Sequence, residues 1–164
     1  IYGQILKREP ENVLAWLNMG NVLKGLKRFS ASEIAYKRTL EINPFYLFGK
    51  IALAQLYLAT KVPEKALKTL KSVSDWHTGD SEISLYMGLA FAYQKKIKLA
   101  IEELENAILL NPKFDLPYYY IGLQYINSSP DLSKKYLKKF IDLSIKKPEN
   151  QSLVLKAHKL LGKL

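Results

Sequence analysis

Trp16-Leu17-Asn18-Met19-Gly20-Asn21-Val22-Leu23, followed by Ser32-Glu33-Ile34-Ala35-Tyr36 and then by Asn43-Pro44, is the stretch on which the fold turns. Its skeleton returns 34 residues later as Leu53-Ala54, Tyr57, Ala66 and Leu70, and again as Met87-Gly88, Phe91, Ala100, Leu104 and Pro112. Pro10 stands at the same phase as Pro44 and Pro112. A period of about 20 to 50 residues signals stacked units, each able to bury its apolar face only against its neighbours. A small residue recurs as Gly20, Ala54, Gly88 and Gly122, and a second as Ser32, Ala66 and Ala100, with Ser133 in that role one residue early. Small side chains at fixed places let two helices approach. Leu23, Tyr57, Phe91 and Tyr125, with Tyr36, Leu70 and Leu104, fill the space that they leave.

In combination these residues resemble the tetratricopeptide repeat, a helix-turn-helix of about 34 residues. The resemblance covers nearly the whole chain and implies an all-α, right-handed superhelical solenoid of antiparallel helix pairs. It divides the chain into repeats at 13–46, 47–80 and 81–114, with a degenerate fourth at 115–148. The second repeat departs in having Thr78 for the proline and Val73 for the later small residue. In the fourth, the turn Asn127-Ser128-Ser129-Pro130 is a residue short and Phe140 replaces an alanine, so its second helix is expected to pack differently. Residues 1–10 align with the end of a preceding, truncated repeat, Tyr2 matching Tyr36 and Leu6 matching Leu40. The chain is thus expected to start inside a second helix of a longer protein. Residues 149–164 read as a capping helix, with Leu153, Ala157, Leu160 and Leu161 on one face and Lys156, Lys159 and Lys163 mostly on others.

Local signals predict helices over 11–25, 30–42, 45–59, 63–75, 81–95, 97–110, 115–127, 130–146 and 150–162. Pro63, Pro117 and Pro130 suit first turns, where the missing amide proton costs nothing, and Ser129 and Asn150 are expected as N-caps. No uninterrupted apolar run approaches the roughly 18 to 20 residues that span a bilayer. Catalysis finds little support. The only histidines, His77 and His158, are far apart and in no metal-ligand spacing, there is no cysteine, and no Gly-rich phosphate loop is present. Glu102, Glu103 and Glu105 cluster, but beside lysines on a helix they read as a solvated face. The expectation is a protein that is not an enzyme, with neither cofactor nor metal.

In the family that the chain resembles, the first helix of each pair lines a concave groove, and the second, fifth, sixth, ninth, twelfth and thirteenth places of the repeat meet the ligand. Here the first repeat offers Leu14, Leu17, Asn18, Asn21 and Lys24, and the second Phe48, Ile51, Gln55 and Leu58. The third offers Leu85, Tyr86, Leu89 and Tyr93, and the fourth Leu116, Tyr119, Tyr120, Leu123 and Asn127. Such a groove suits an apolar or aromatic peptide or an amphipathic helix anchored by a few rings. Capture of a chaperone tail is rejected: Leu17, Ala52, Glu82 and Tyr86 stand where a carboxylate clamp needs lysine, asparagine, lysine and arginine. The same side chains could instead pack between successive first helices, or receive a helix from a second copy of the chain. Trp76, in phase with Ile42 and Leu110, is expected in the core.

Charge supplies an alternative. The net charge of +10 is concentrated late, at Lys134, Lys135, Lys138, Lys139, Lys146, Lys147, Lys156, Lys159 and Lys163, against Asp142 and Glu149. That face could attract nucleic acid or an anionic surface in a salt-dependent way. Repeats that read RNA base by base need polar side chains at fixed places in the groove. The apolar groove argues against that reading.

Overall fold

The computed structural model describes residues 2–74 and 79–164, and it is all helical there. Trp76 and His77, with the expectations attached to them, lie outside the described residues. The helices are α1 Tyr2–Arg8, α2 Val13–Gly25, α3 Phe29–Ile42, α4 Leu47–Ala59, α5 Pro63–Ser74, α6 Ser81–Tyr93, α7 Ile97–Leu110, α8 Asp115–Tyr125, α9 Pro130–Ser144 and α10 Gln151–Leu161. A short 3-10 turn, Pro148–Asn150, precedes α10. Among the described residues no helix is long and apolar enough to cross a membrane.

The chain divides into two compact units, Ile1–Thr78 and Gly79–Leu164. In the first, α2 pairs with α3 and α4 with α5, α4 also meets α3 and α2, and α1 lies on α2. In the second, α6 pairs with α7 and α8 with α9, α8 also meets α7 and α6, and α10 lies on α9.

Three of the pairs, α2/α3, α6/α7 and α8/α9, are sealed where the sequence places their small residues. Ser32 donates its hydroxyl to the Gly20 carbonyl at 2.8 Å, and the ring of Tyr36 lies directly over Gly20. Any Cβ on Gly88 would stand 2.8 Å from Leu104 Cγ, and one on Gly122 would stand 2.8 Å from Leu137 Cγ. Those distances leave no room for a methyl group.

The turns between paired helices follow one design three times. Lys27, Lys61 and Lys95 sit in the left-handed region at φ 58°, 59° and 59°. Beyond each, an amide reaches back five residues, as from Arg28 to the Leu23 carbonyl and from Lys96 to the Phe91 carbonyl. This is the Schellman closure of a helix C-terminus. The fourth turn has no left-handed residue, and there the Ser129 amide reaches back only four residues to Tyr125. The residue missing from this turn is therefore the left-handed one. The shorter turn leads into α9. Its seam with α8 is retained, Ser133 donating to the Gly122 carbonyl at 2.8 Å. The difference lies further along, where the fully buried Phe140 packs on Tyr119 with ring centroids 5.0 Å apart.

Helix starts bring a correction. Asn12 Oδ1 accepts from the Ala15 amide, and Asp80 Oδ1 accepts from the amides of Glu82 and Ile83, so these two residues cap α2 and α6. Neither Ser129 nor Asn150 makes a side-chain cap. Pro130 opens α9 directly after Ser129, and Asn150 is turned inward.

Candidate interaction surface

In the first unit, the first helices α2 and α4 expose their second positions, Leu14 at 59% and Phe48 at 62%. Phe48 meets Tyr46 edge-on at 5.8 Å. Leu17 and Asn18 are half-buried. Ile51, expected at the groove, is buried, as is Leu58. Helix α4 is packed against α2, α3 and α5, and eight of its 13 residues are buried, so it has little free circumference to offer. The polar groove residues tie helices together. Lys24 Nζ donates to Gln55 Oε1 at 2.9 Å, linking α2 to α4, and the Tyr36 hydroxyl donates to Asn21 Oδ1 at 2.7 Å. Partial burial lowers the Lys24 pKa.

In the second unit Tyr93 is 53% exposed, while Tyr86, Leu89, Tyr120 and Leu123 are half-buried. Leu85 and Tyr119, both expected to face a ligand, are core residues. Leu85 packs with Leu104, Ala107 and Ile121, and Tyr119 with Leu137, Phe140, Val154 and Ala157. The physical reason is common to both. The fifth place of these repeats faces the helices packed alongside, whereas Glu82 at the second place and Tyr93 at the thirteenth are exposed; Leu116, at the second place of the fourth repeat, is half-buried against the core. Burial raises the pKa of Tyr119, and that of Tyr120 with added effect from Tyr119 and Tyr93, so these hydroxyls stay neutral near pH 7.

The sequence reading missed two features. Lys156 and Lys159 of α10, with Lys163 just beyond its end, come round beside Tyr119 and Leu160, where together they line a pocket of about 280 Å³. Their spacing of three and four residues marks one helical stripe, and that signal was present in the sequence. The other feature is a buried carboxylate at the start of α8. Asp115 Oδ2 accepts from Ser144 Oγ at 2.7 Å, Lys147 Nζ at 2.8 Å and Asn150 Nδ2 at 2.8 Å, and Oδ1 accepts from the Leu116 amide. Burial by itself would raise the Asp115 pKa, but the Lys147 and Ser144 hydrogen bonds and the lysine charge outweigh it and hold it below the ordinary value. Lys147 is thus an internal ion-pair partner, which corrects its assignment to the open basic face. Of the others there, Lys134 is half-buried and Lys135, Lys138, Lys139 and Lys146 are exposed.

Residues 13–46 match the tetratricopeptide-repeat family model. The chain is similar to anaphase-promoting complex subunit CDC16 of Saccharomyces cerevisiae (strain ATCC 204508 / S288c), at 22% identity over 135 residues. That match covers 82% of this chain but only 16% of CDC16. Among solved structures, the type IV pilus biogenesis factor PilW superposes with a TM-score of 0.81 at 19% identity, covering 98% of this chain and 76% of PilW. A thermophilic TPR protein of Thermus thermophilus superposes at 0.79 with 21% identity, covering 92% and 84%. YrrB, described as a TPR protein with an unusual peptide-binding site, superposes at 0.69 with 13% identity, covering 98% and 90%. Residues 13–46 thus carry a tetratricopeptide repeat, and the fold of the chain is that of solved tetratricopeptide-repeat proteins. The fold supports protein partners, and no enzymatic family is indicated.

Proposed function

We propose that this chain is a non-catalytic interaction scaffold, built from repeats at 13–46, 47–80, 81–114 and 115–148, that binds an apolar or aromatic peptide or amphipathic helix on its first-helix faces. The observation that carries the reading is the large apolar side chains left open on those helices, Leu14 and Phe48 in one unit and Tyr93 in the other. Rings held on rigid helices lose little entropy when a partner docks. Half-buried Tyr86 and Tyr120 extend the face in the second unit.

Affinity capture from a native extract tests this reading, using the wild type beside Phe48→Asp and Tyr93→Asp, with Ile34→Asp on second helix α3 as control. All three residues are exposed, so the fold should survive each change. The expected result is a partner retained by wild type and control but reduced about tenfold by a first-helix variant, equivalent to about 1.4 kcal/mol. Equal retention by all four proteins would sink the proposal.

A further inference from the structure

Away from the first-helix faces, the second unit carries another cavity, of about 540 Å³, lined by Glu105, Ile108, Tyr118, Lys135, Tyr136, Lys138, Lys139 and Asp142. It shares no residue with the pocket beside Tyr119. Its apolar surface comes from Ile108 of α7, Tyr118 of α8 and Tyr136 of α9. The aromatic side chains are held in place. Tyr136 stacks on Tyr125 at 6.1 Å with planes 16° apart, Tyr118 lies 6.3 Å from Tyr136, and the Tyr118 hydroxyl donates to the Pro112 carbonyl at 3.1 Å. The Tyr136 hydroxyl donates to Glu105 Oε1 at 3.2 Å, so that carboxylate is already engaged. By contrast Lys135, Lys138 and Lys139 form no ion pair among the described residues. Three such ammonium groups around an apolar floor call for an anionic ligand with an apolar group to bury. The volume falls in the usual range of ligand sites, about 300 to 1,000 Å³.

From this arrangement we infer that the α7–α9 cavity is a second docking site, for an acidic linear peptide that inserts one aromatic side chain between Ile108, Tyr118 and Tyr136 and sets its carboxylates on Lys135, Lys138 and Lys139. Charge complementarity selects the occupant. A nucleic-acid backbone, with a charge at every phosphate, would also meet Glu105 and Asp142 in the same lining. A peptide can space its carboxylates so that they reach the lysines and avoid both acids. Because the lysines are at the surface, binding should weaken as salt is added.

Fluorescence anisotropy with a labelled peptide, a central tryptophan flanked on both sides by aspartates, tests the inference at low ionic strength. Wild type, Lys135→Glu/Lys139→Glu and Lys156→Glu/Lys159→Glu are compared, with circular dichroism to establish that all three are folded. The expected outcome is saturable binding by wild type, a loss of about tenfold or more in the first variant, and little change in the second. An alanine-for-tryptophan peptide should bind about tenfold more weakly as well. No saturable binding by wild type, unchanged affinity in Lys135→Glu/Lys139→Glu, or tighter binding of a labelled oligothymidylate would each overturn it. Selective loss in Lys156→Glu/Lys159→Glu would also overturn it and would place the acidic ligand on the face beside Tyr119.

Discussion

In the pair α2/α3, Ser32 bonds the Gly20 carbonyl across a turn containing left-handed Lys27. In α8/α9, Ser133 bonds the Gly122 carbonyl at the same 2.8 Å across a turn that is one residue shorter and has no left-handed residue. The seam therefore governs and the turn adapts. Two helices brought close by a glycine and sealed by a buried hydroxyl have one good approach, while a surface turn has several ways to reach it. The pairs also differ in what lies outside the seam. On α2, Leu14 is open, whereas on α8 Tyr119 is covered by Val154 and Ala157 of α10. Helix α10 is joined to α8 through Asn150 and Asp115.

That contrast can be broken most severely at Asp115. Asp115→Ala should destabilise the second unit by about 3 kcal/mol in urea denaturation, because Ser144 and Asn150 are left buried without their acceptor. Lys147 is partly exposed and adds less. Next in size are Gly20→Ala and Gly122→Ala, each expected to cost about 2 kcal/mol by overpacking against Tyr36 and Leu137. Similar costs in both would support a common seam, and a tolerated Gly122→Ala would show that α9 is loosely held.

Acid titration separates the two ends further. Since the folded Asp115 pKa lies below its ordinary value of 3.8, its contribution is complete above that value and is lost as pH falls through the lowered folded value. Urea midpoints followed into acid should therefore fall less steeply for Asp115→Asn than for wild type, from a lower starting point at neutral pH. The smallest effect belongs to the turns. Lys61→Gly should raise stability by about 0.5 kcal/mol through relief of the left-handed conformation. Ser129→Gly, at φ −154°, should give no gain. A gain at Ser129 would contradict the account of the shortened turn.

The fold was legible because it is written in local and periodic terms. Gly20, Gly88 and Gly122 announce close approach by their size, and the predicted helix bounds differ from those observed by about two residues. The interaction surface was less legible. Position within the repeat nominated Ile51, Leu85 and Tyr119, but a period cannot tell the side of a first helix that meets another helix from the side that stays open. Asp115 was read only as the start of a repeat, since its partners Ser144, Lys147 and Asn150 converge on it from 29 to 35 residues away. For the same reason Lys147 was counted with the free lysines and Asn150 as a helix cap. Asn12 and Asp80, the caps in fact, stand directly before their helices and could have been found.

The central claim is that first-helix faces, and not exposed apolar residues in general, recognise the partner. A photoreactive phenylalanine analogue placed singly at Phe48, Tyr93, Ile34 and Leu109 puts it to the most direct test, because all four positions are exposed while only the first two lie on first helices. Irradiation in native extract should give discrete crosslinked products from positions 48 and 93 and none from 34 and 109. Products from 34 or 109 alone, or the same products from all four, would contradict the account.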